Sequence, residues 1–236
     1  MSAMSDSKTP PDWEGEAMRD MWRENAAAVP GEARARDAGM MKKIGTYCAR
    51  FGYETRRVVA KISGDEMFAA HFAKAPGRQG VHERIAADYL QKIALVKNFK
   101  ILPKGGKDAL FIDARGALRK RGDKSGTSAQ DSKSLDFYWE TAGFFCYASH
   151  KYTKESGGAQ DHQFRDQKRF LENFRKHGEP RAACFAICDG AYYTAEKMRE
   201  LEGATRRTPP LSFAVHIEDV AGKLRNLAAL KDNSPR

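Results

Sequence analysis

Two residues that could act on a phosphodiester lie on neighbouring segments near the middle of the chain. The segment 134–153 predicts a β-hairpin with its turn at Ala142-Gly143. Because side chains alternate between the faces of a strand, Asp136, Ser149 and Lys151 are predicted to share one face of this hairpin. A carboxylate can hold Mg²⁺, and an ammonium group can orient a water and balance charge on the phosphate. The pair suits metal-dependent phosphodiester hydrolysis, and the competing interpretation is a surface ion pair worth under about 1 kcal/mol.

An Asp at the end of one strand and a (D/E)-x-K tripeptide on the next form the pattern of the PD-(D/E)xK nuclease superfamily. This chain resembles that pattern in Asp136 and in Ser149-His-Lys151, and it is similar to a type II restriction endonuclease. Three other stretches strengthen the resemblance: 77–83, 152–163 and 188–193. Together the matching stretches cover roughly residues 60 to 200. Leu135 stands where the pattern has Pro, and Ser149 stands where it has an acid.

The resemblance implies Mg²⁺ as the cofactor and a second metal-binding acid beside Asp136. Some restriction enzymes place Ser two residues before the lysine and recruit a carboxylate from the helix that follows. The candidates for that second acid are Glu83, Glu155, Asp161 and Asp166. Asp161 is preferred because it follows Gly157-Gly158 and begins a predicted helix, and Glu83 lies near the start of an earlier helix. The predicted metal ligands are Asp136, Glu83 and Asp161, aided by a backbone carbonyl near His150, and the predicted catalytic residues are Asp136, Lys151, Glu83 and Ser149.

Double-stranded DNA is the substrate that the resemblance implies, and two stretches offer residues to contact it. Gln can pair bidentately with adenine, and glycines let the backbone approach DNA closely. A helix-capping loop explains the stretch 157–163 equally well. The predicted DNA-binding residues are Arg78, Gln79, Lys154, Gln160, His162, Gln163 and Arg165. The basic loop 115–133 could also wrap the DNA backbone, or it could be a solvated, flexible loop.

Composition agrees with a polyanionic partner. The chain has 236 residues with 41 Lys and Arg against 31 Asp and Glu, a formal charge of +10. Such an excess of positive charge favours binding to nucleic acid, although many basic proteins bind none. No apolar run approaches the roughly 20 residues that span a bilayer, and the N-terminus lacks the apolar region of a signal peptide. We therefore expect a soluble, cytoplasmic protein without membrane association, whose four cysteines are reduced thiols.

The pattern of apolar residues predicts an α/β or α+β fold, with a mixed central sheet of about five strands flanked by helices. Besides the hairpin, the predicted core strands are 109–113, 181–187 and 211–215, and a helix is predicted over 80–97. The domain prediction is a disordered N-terminus over 1–10, a helical region over 11–60 and a nuclease-like core over 61–236. A homodimer is expected from the resemblance, since a twofold protein matches a palindromic DNA site.

Three functions stay open at this point. The first is a sequence-specific endonuclease of a restriction-modification system, and the second is a repair or recombination nuclease of the same fold. The third is a catalytically inactive DNA-binding module, which the serine at position 149 favours and the pairing of Asp136 with Lys151 disfavours.

Overall fold

The computed structural model describes residues 9–26, 38–70, 72, 80–123, 128–154 and 158–232. The chain divides into two compact units: the smaller comprises Asp12–His82, and the larger comprises Met1–Pro11 and Glu83–Arg236, so that the second division falls after the first two residues of the helix 81–91. The sequence analysis placed the start of the core at residue 61. Of the region that the sequence analysis assigned to the core, residues 61–64 and 66–70 pack with the helix before them in the smaller unit.

The smaller unit is helical. Its helices are α1 (Trp13–Ala26), α2 (Ala38–Phe51), α3 (Thr55–Gly64) and α4 (Glu66–Ala70). Apolar residues one turn apart form its core, because positions i and i+4 lie on the same face of a helix. The core residues are Ile44, Cys48, Val58, Ile62, Ala69 and Phe72. The carboxylate of Asp65 accepts a hydrogen bond of 2.9 Å from the amide of Phe68 and so caps the start of α4.

The larger unit is built on a mixed sheet of five strands. The elements, in chain order, are α5 (Val81–Gln91), β1 (Lys97–Ile101), β2 (Leu110–Ile112), β3 (Leu118–Lys120), β4 (Phe137–Thr141), β5 (Phe144–Tyr152), α6 (Gly158–Phe174), β6 (Ala182–Asp189), α7 (Ala195–Gly203), β7 (Leu211–Val215), a 3₁₀ turn (Ile217–Asp219) and α8 (Val220–Asp232). The strand order is β1-β4-β5-β6-β7, with antiparallel pairing up to β5 and parallel pairing beyond it. The predicted fold class is confirmed.

The hairpin of β4 and β5 lies at the centre of this sheet. Its register pairs Phe137 with Ala148 and Thr141 with Phe144. The two-residue turn places Ala142 at φ 50° and Gly143 at φ 83°. Positive φ at both turn positions matches the right-handed twist of the flanking strands, as in a type I′ turn. The predicted turn is therefore confirmed.

One strand of the sheet differs from the prediction. The segment 109–113 was expected to enter the core sheet, but β2 pairs only with β3 in a separate two-stranded sheet. The edge position belongs to β1, which begins at Lys97, the last residue of the helix predicted over 80–97. That helix, α5, ends earlier, at Gln91. β1 is mostly exposed and places only Phe99 against the core, 5.6 Å from the ring of Phe137. A strand exposed in this way lacks the alternation of apolar residues by which strands are recognised.

Both faces of the sheet are packed. On one face, small residues of β6 leave room for the apolar side of α6, where Leu171 and Phe174 are buried. On the other face, Phe185 contacts the ring of Trp139 at 5.1 Å and that of Phe213 at 4.9 Å. Burying each such aromatic side chain contributes about 1.5–3 kcal/mol, so the hairpin is held firmly in the core.

The described thiols are all free. Cys146, Cys184 and Cys188 are buried in the sheet and Cys48 is buried in the smaller unit. Burial raises the pKa of the Cys184 thiol well above its usual range. Among the described residues, none of the helices combines the length and apolarity that crossing a bilayer demands.

Candidate active site

The site begins with Asp136, the residue immediately before β4. Its amide donates to the carbonyl of Ala148 at 2.9 Å, and its carbonyl accepts from the amide of Leu102, also at 2.9 Å. The backbone is thus bonded to the chain on both sides, and the residue as a whole is only 6% exposed. Asp136 is therefore a buried residue whose backbone is fixed to the sheet, so its carboxylate has little freedom to move.

The carboxylate of Asp136 is met by three groups from the next strand. Its Oδ2 accepts a hydrogen bond of 2.8 Å from the backbone amide of His150. The Oγ of Ser149 and the Nζ of Lys151 each lie 3.5 Å from the same oxygen. The structure therefore brings together Asp136, Ser149 and Lys151, which the sequence analysis placed on one face of the hairpin.

Lys151 lies between two oxygen atoms. Besides its 3.5 Å contact with Asp136, its Nζ donates to the carbonyl oxygen of His150 at 2.8 Å. Its side chain is 22% exposed, whereas that of Asp136 is 7% exposed. The carboxylate of Asp136 and the carbonyl of His150 thus both contact the ammonium of Lys151, which is partly exposed to solvent.

Gln167 is a member of this cluster that the sequence analysis missed. It projects from α6, is 1% exposed, and donates from Nε2 to the Oγ of Ser149 at 3.0 Å. Its Oε1 is buried and has no hydrogen-bond partner among the described residues. A signal was present, because Gln167 lies three residues after Phe164 and four before Leu171, inside the apolar stripe of α6. A polar residue in such a stripe faces the core and needs a partner there.

The donor atoms of the cluster are those that Mg²⁺ prefers. Mg²⁺ takes oxygen ligands, commonly from one or two protein carboxylates with water at the remaining positions. Asp136 supplies a carboxylate, His150 supplies a carbonyl, and the amide oxygen of Gln167 is buried without a partner. Within the described ranges, no three His, Cys, Asp or Glu residues form a group that could hold a metal. A metal here would therefore rest on one carboxylate supplemented by neutral oxygens.

The other candidate acids are engaged elsewhere. Glu83 forms an ion pair of 3.0 Å with Lys104. Burial is the largest single influence on Glu83 and would raise its pKa, but the hydrogen bond and charge of Lys104 together with a backbone hydrogen bond outweigh it and leave that pKa lowered. The 60% exposed side chain of Asp161 accepts a hydrogen bond of 2.5 Å from the hydroxyl of Tyr192 and lies 4.0 Å from Lys197. Asp166 lies 3.9 Å from Arg169, and Glu155 lies outside the described residues.

The predicted DNA-binding residues are spread around the start of α6. Gln163 accepts a hydrogen bond of 2.9 Å from the hydroxyl of Thr153 through its Oε1. Arg165 and His162 are exposed and contact each other at 3.1 Å. Lys154 is exposed and Gln160 is half-buried. Arg78 and Gln79 lie outside the described residues.

Comparison with known proteins identifies no family for this chain. No protein-family model matches it, and no curated protein is significantly similar to it. Among solved structures, the protein VC1899 from Vibrio cholerae aligns with 9% sequence identity and a TM-score of 0.33, over 98% of this chain and 57% of that one. The chain thus spans little more than half the length of VC1899, and a likeness this weak carries no argument about fold or function.

Proposed function

We propose that this protein is a Mg²⁺-dependent endonuclease that hydrolyses phosphodiester bonds of double-stranded DNA at the cluster of Asp136, Lys151 and Gln167. The observation that supports the proposal is the position of Lys151, whose ammonium group meets both the carboxylate of Asp136 and the carbonyl of His150. The two oxygens, one anionic and one neutral, that now converge on the ammonium of Lys151 are suited to hold a metal ion. Lys151 itself is suited to meet a phosphate.

A purely structural ion pair explains the cluster less well. The side chain of Asp136 is 7% exposed and that of Lys151 is 22% exposed, so both charges lose much of their hydration. The desolvation of a buried pair often cancels its Coulomb attraction, and buried pairs are weak stabilisers. A role in chemistry accounts for keeping two charged groups at this position of the core.

The roles of the side chains follow from their geometry. When bound, Mg²⁺ would make a water more acidic and offset negative charge on the phosphate. Asp136 supplies the anionic oxygen and is kept in place by the His150 amide. The ammonium of Lys151 has three donors, and the one that is not engaged by Asp136 or His150 can bind the attacking water or a non-bridging phosphate oxygen. Ser149 holds Gln167 at the side of the carboxylate and so fixes the orientation of the amide.

DNA as the substrate is supported by charge. The chain carries a formal charge of +10, and exposed cationic side chains such as Lys154 and Arg165 flank the start of α6. Cations of this kind position a phosphate backbone without reading its sequence. We further propose a type II restriction enzyme that acts in the cytoplasm as a homodimer, because two symmetric sites can cut both strands of a palindrome.

The test is cleavage of unmethylated phage DNA by the wild type, Asp136→Asn and Lys151→Ala, each with Mg²⁺ and with EDTA. The wild type with Mg²⁺ should give discrete fragments, and each substitution should lower the rate by about 10²–10⁴-fold, as is typical when a catalytic group is removed. Lys168→Ala is a matched control, since Lys168 pairs with Glu200 on the surface of the same unit. It should cleave like the wild type.

Other outcomes separate the alternatives. Nicking at branched or gapped structures, without discrete fragments, would indicate a repair or recombination nuclease. DNA binding without cleavage in any variant would favour the inactive DNA-binding module, which the serine at position 149 supports. Cleavage that is equal in the wild type and Lys151→Ala would exclude this cluster as the active site.

A further inference from the structure

We infer that the buried pair of His150 and Asp189 is a positioning device for the active site. The inference rests on the proposed function, because the peptide that the pair holds is the one that serves Asp136 and Lys151. Both backbone groups of His150 take part, since its amide donates to Asp136 and its carbonyl accepts from Lys151, each at 2.8 Å. The side chain of His150 lies on the opposite face of the sheet, 6.3 Å from the ring of Phe137.

The backbone of His150 is at the point where β5 loses one of its neighbours. The pairing of β4 with β5 begins at Phe137 and Ala148, so no residue of β4 lies beside His150. On that side its amide and carbonyl meet side chains in place of a strand. Of the two sheet ladders, only that with β6 holds this peptide, where His150 pairs with Ile187, so its orientation gains from a restraint outside the ladders.

The side chain supplies such a restraint. The Nε2 of His150 lies 3.3 Å from the Oδ2 of Asp189, and the two side chains are only 1% and 4% exposed. Both groups are buried away from water, so drawing them apart would leave two polar groups with no water to replace the contact. Rotation of the His150 peptide would pull the imidazole away from its carboxylate.

Asp189 is itself anchored to several elements. Its carbonyl accepts a hydrogen bond of 2.8 Å from the amide of Thr153, which follows β5. Its Oδ1 accepts one of 3.1 Å from the amide of Ile217, at the start of the 3₁₀ turn after β7. The Nδ1 of His216 lies 3.9 Å from the same oxygen. Asp189 thus connects the ends of β5, β6 and β7. Through its contact with His150 it restrains the peptide that bonds Asp136 and Lys151 on the other face of the sheet.

The test compares Asp189→Asn with the wild type and with Asn173→Ala. Asn173 is a buried polar residue of the same unit that bonds the carbonyl of Gln130 at 2.9 Å, outside the Asp136 cluster. Asp189→Asn should speed hydrogen exchange at the His150 amide at least tenfold beyond what its change in global stability explains. It should also weaken Mn²⁺ binding and lower kcat about 10–100-fold, the loss typical of a group that orients a metal ligand, with KM for DNA unchanged. Asn173→Ala should lower stability alone.

A second variant keeps the inference testable if Asp189→Asn does not fold. His150→Gln removes the imidazole but leaves the backbone groups, and it should show the same local exchange and the same loss of kcat. If either variant lowers only the melting temperature, with His150 exchange following global unfolding, the pair is merely structural and the inference is wrong. If the wild type cleaves no DNA, the proposed function fails, while the exchange measurement still decides whether the pair positions the peptide.

Discussion

Two lysine–carboxylate pairs in the larger unit show how burial separates a surface interaction from a candidate site. Lys104 and Glu83 form a pair of 3.0 Å whose side chains are 54% and 27% exposed. Lys151 and Asp136 are farther apart, at 3.5 Å, but they are more deeply buried. Lys151 also donates to the backbone carbonyl of His150. We therefore assign the Lys104 pair to stability and propose a role in chemistry for the Lys151 pair.

Replacing Lys104 tests the first assignment. The pKa of Glu83 lies below its ordinary value of 4.5 in the folded protein: burial, the largest single influence, raises it, but the hydrogen bond and charge of Lys104 with a backbone hydrogen bond together lower it by more. A lowered carboxyl pKa stabilises the fold above the unfolded-state pKa, and this contribution is lost as the pH falls through the folded-state pKa. Lys104→Met should therefore cost under about 1 kcal/mol at pH 7, and less than that at about pH 3.

Urea denaturation at both pH values measures this difference. Lys92→Met is the control, because Lys92 is an exposed lysine just beyond the end of α5. A cost for Lys104→Met that is the same at pH 3 as at pH 7 would show that Lys104 stabilises the protein by packing and not through the Glu83 charge.

At this scale the sequence predicts part of the site. Alternation along two strands was enough to place Asp136, Ser149 and Lys151 on one face of the hairpin. It could not reveal Gln167, because that requires knowing that the buried side of α6 lies against the hairpin. Nor could it show that Asp161, attractive for its position after two glycines, would bond Tyr192.

Among the elements, the β4–β5 hairpin decides where the site lies, and its turn is not optimal. Ala142 has φ 50°, a left-handed conformation that alanine adopts at a cost of about 1–2 kcal/mol. Asn is favoured at this turn position because its short polar side chain tolerates such a backbone. Ala142→Asn should therefore stabilise the protein by about 0.5–1 kcal/mol.

The midpoint of urea denaturation tests this, with Gly143→Ala as the opposing variant. Gly143 has φ 83°, and adding a Cβ there should destabilise the fold by about 1 kcal/mol. A lower stability for Ala142→Asn would mean that the turn does not limit the hairpin.

The strands of the sheet were predicted only in part from the sequence. The hairpin, β6 and β7 were visible as apolar or alternating segments with turn residues between them. β1 was not, because an edge strand with only Phe99 facing the core does not alternate in hydrophobicity. The apolar run 109–113 was assigned to the core sheet in its place, although β2 is only three residues long and pairs with β3 alone. Pairing partners depend on the tertiary structure, which local pattern does not contain.

For the whole molecule, the excess of positive charge has a measurable consequence if DNA is the partner. With a formal charge of +10, binding should release counterions, and the logarithm of the binding constant should fall by about 0.9 for each phosphate contact per tenfold rise in salt. Fluorescence anisotropy with a labelled duplex at several salt concentrations gives this slope. A slope near zero would contradict binding through the phosphate backbone.

We propose that the Asp136 cluster holds the metal ion that phosphodiester hydrolysis requires. The most direct measurement is the dissociation constant for Mn²⁺, obtained by electron paramagnetic resonance for the wild type, Asp136→Asn and Asp161→Asn. We predict that Asp136→Asn weakens binding at least tenfold, and that Asp161→Asn, which alters an exposed acid of the same unit, binds like the wild type. Equal binding by the wild type and Asp136→Asn would contradict the claim.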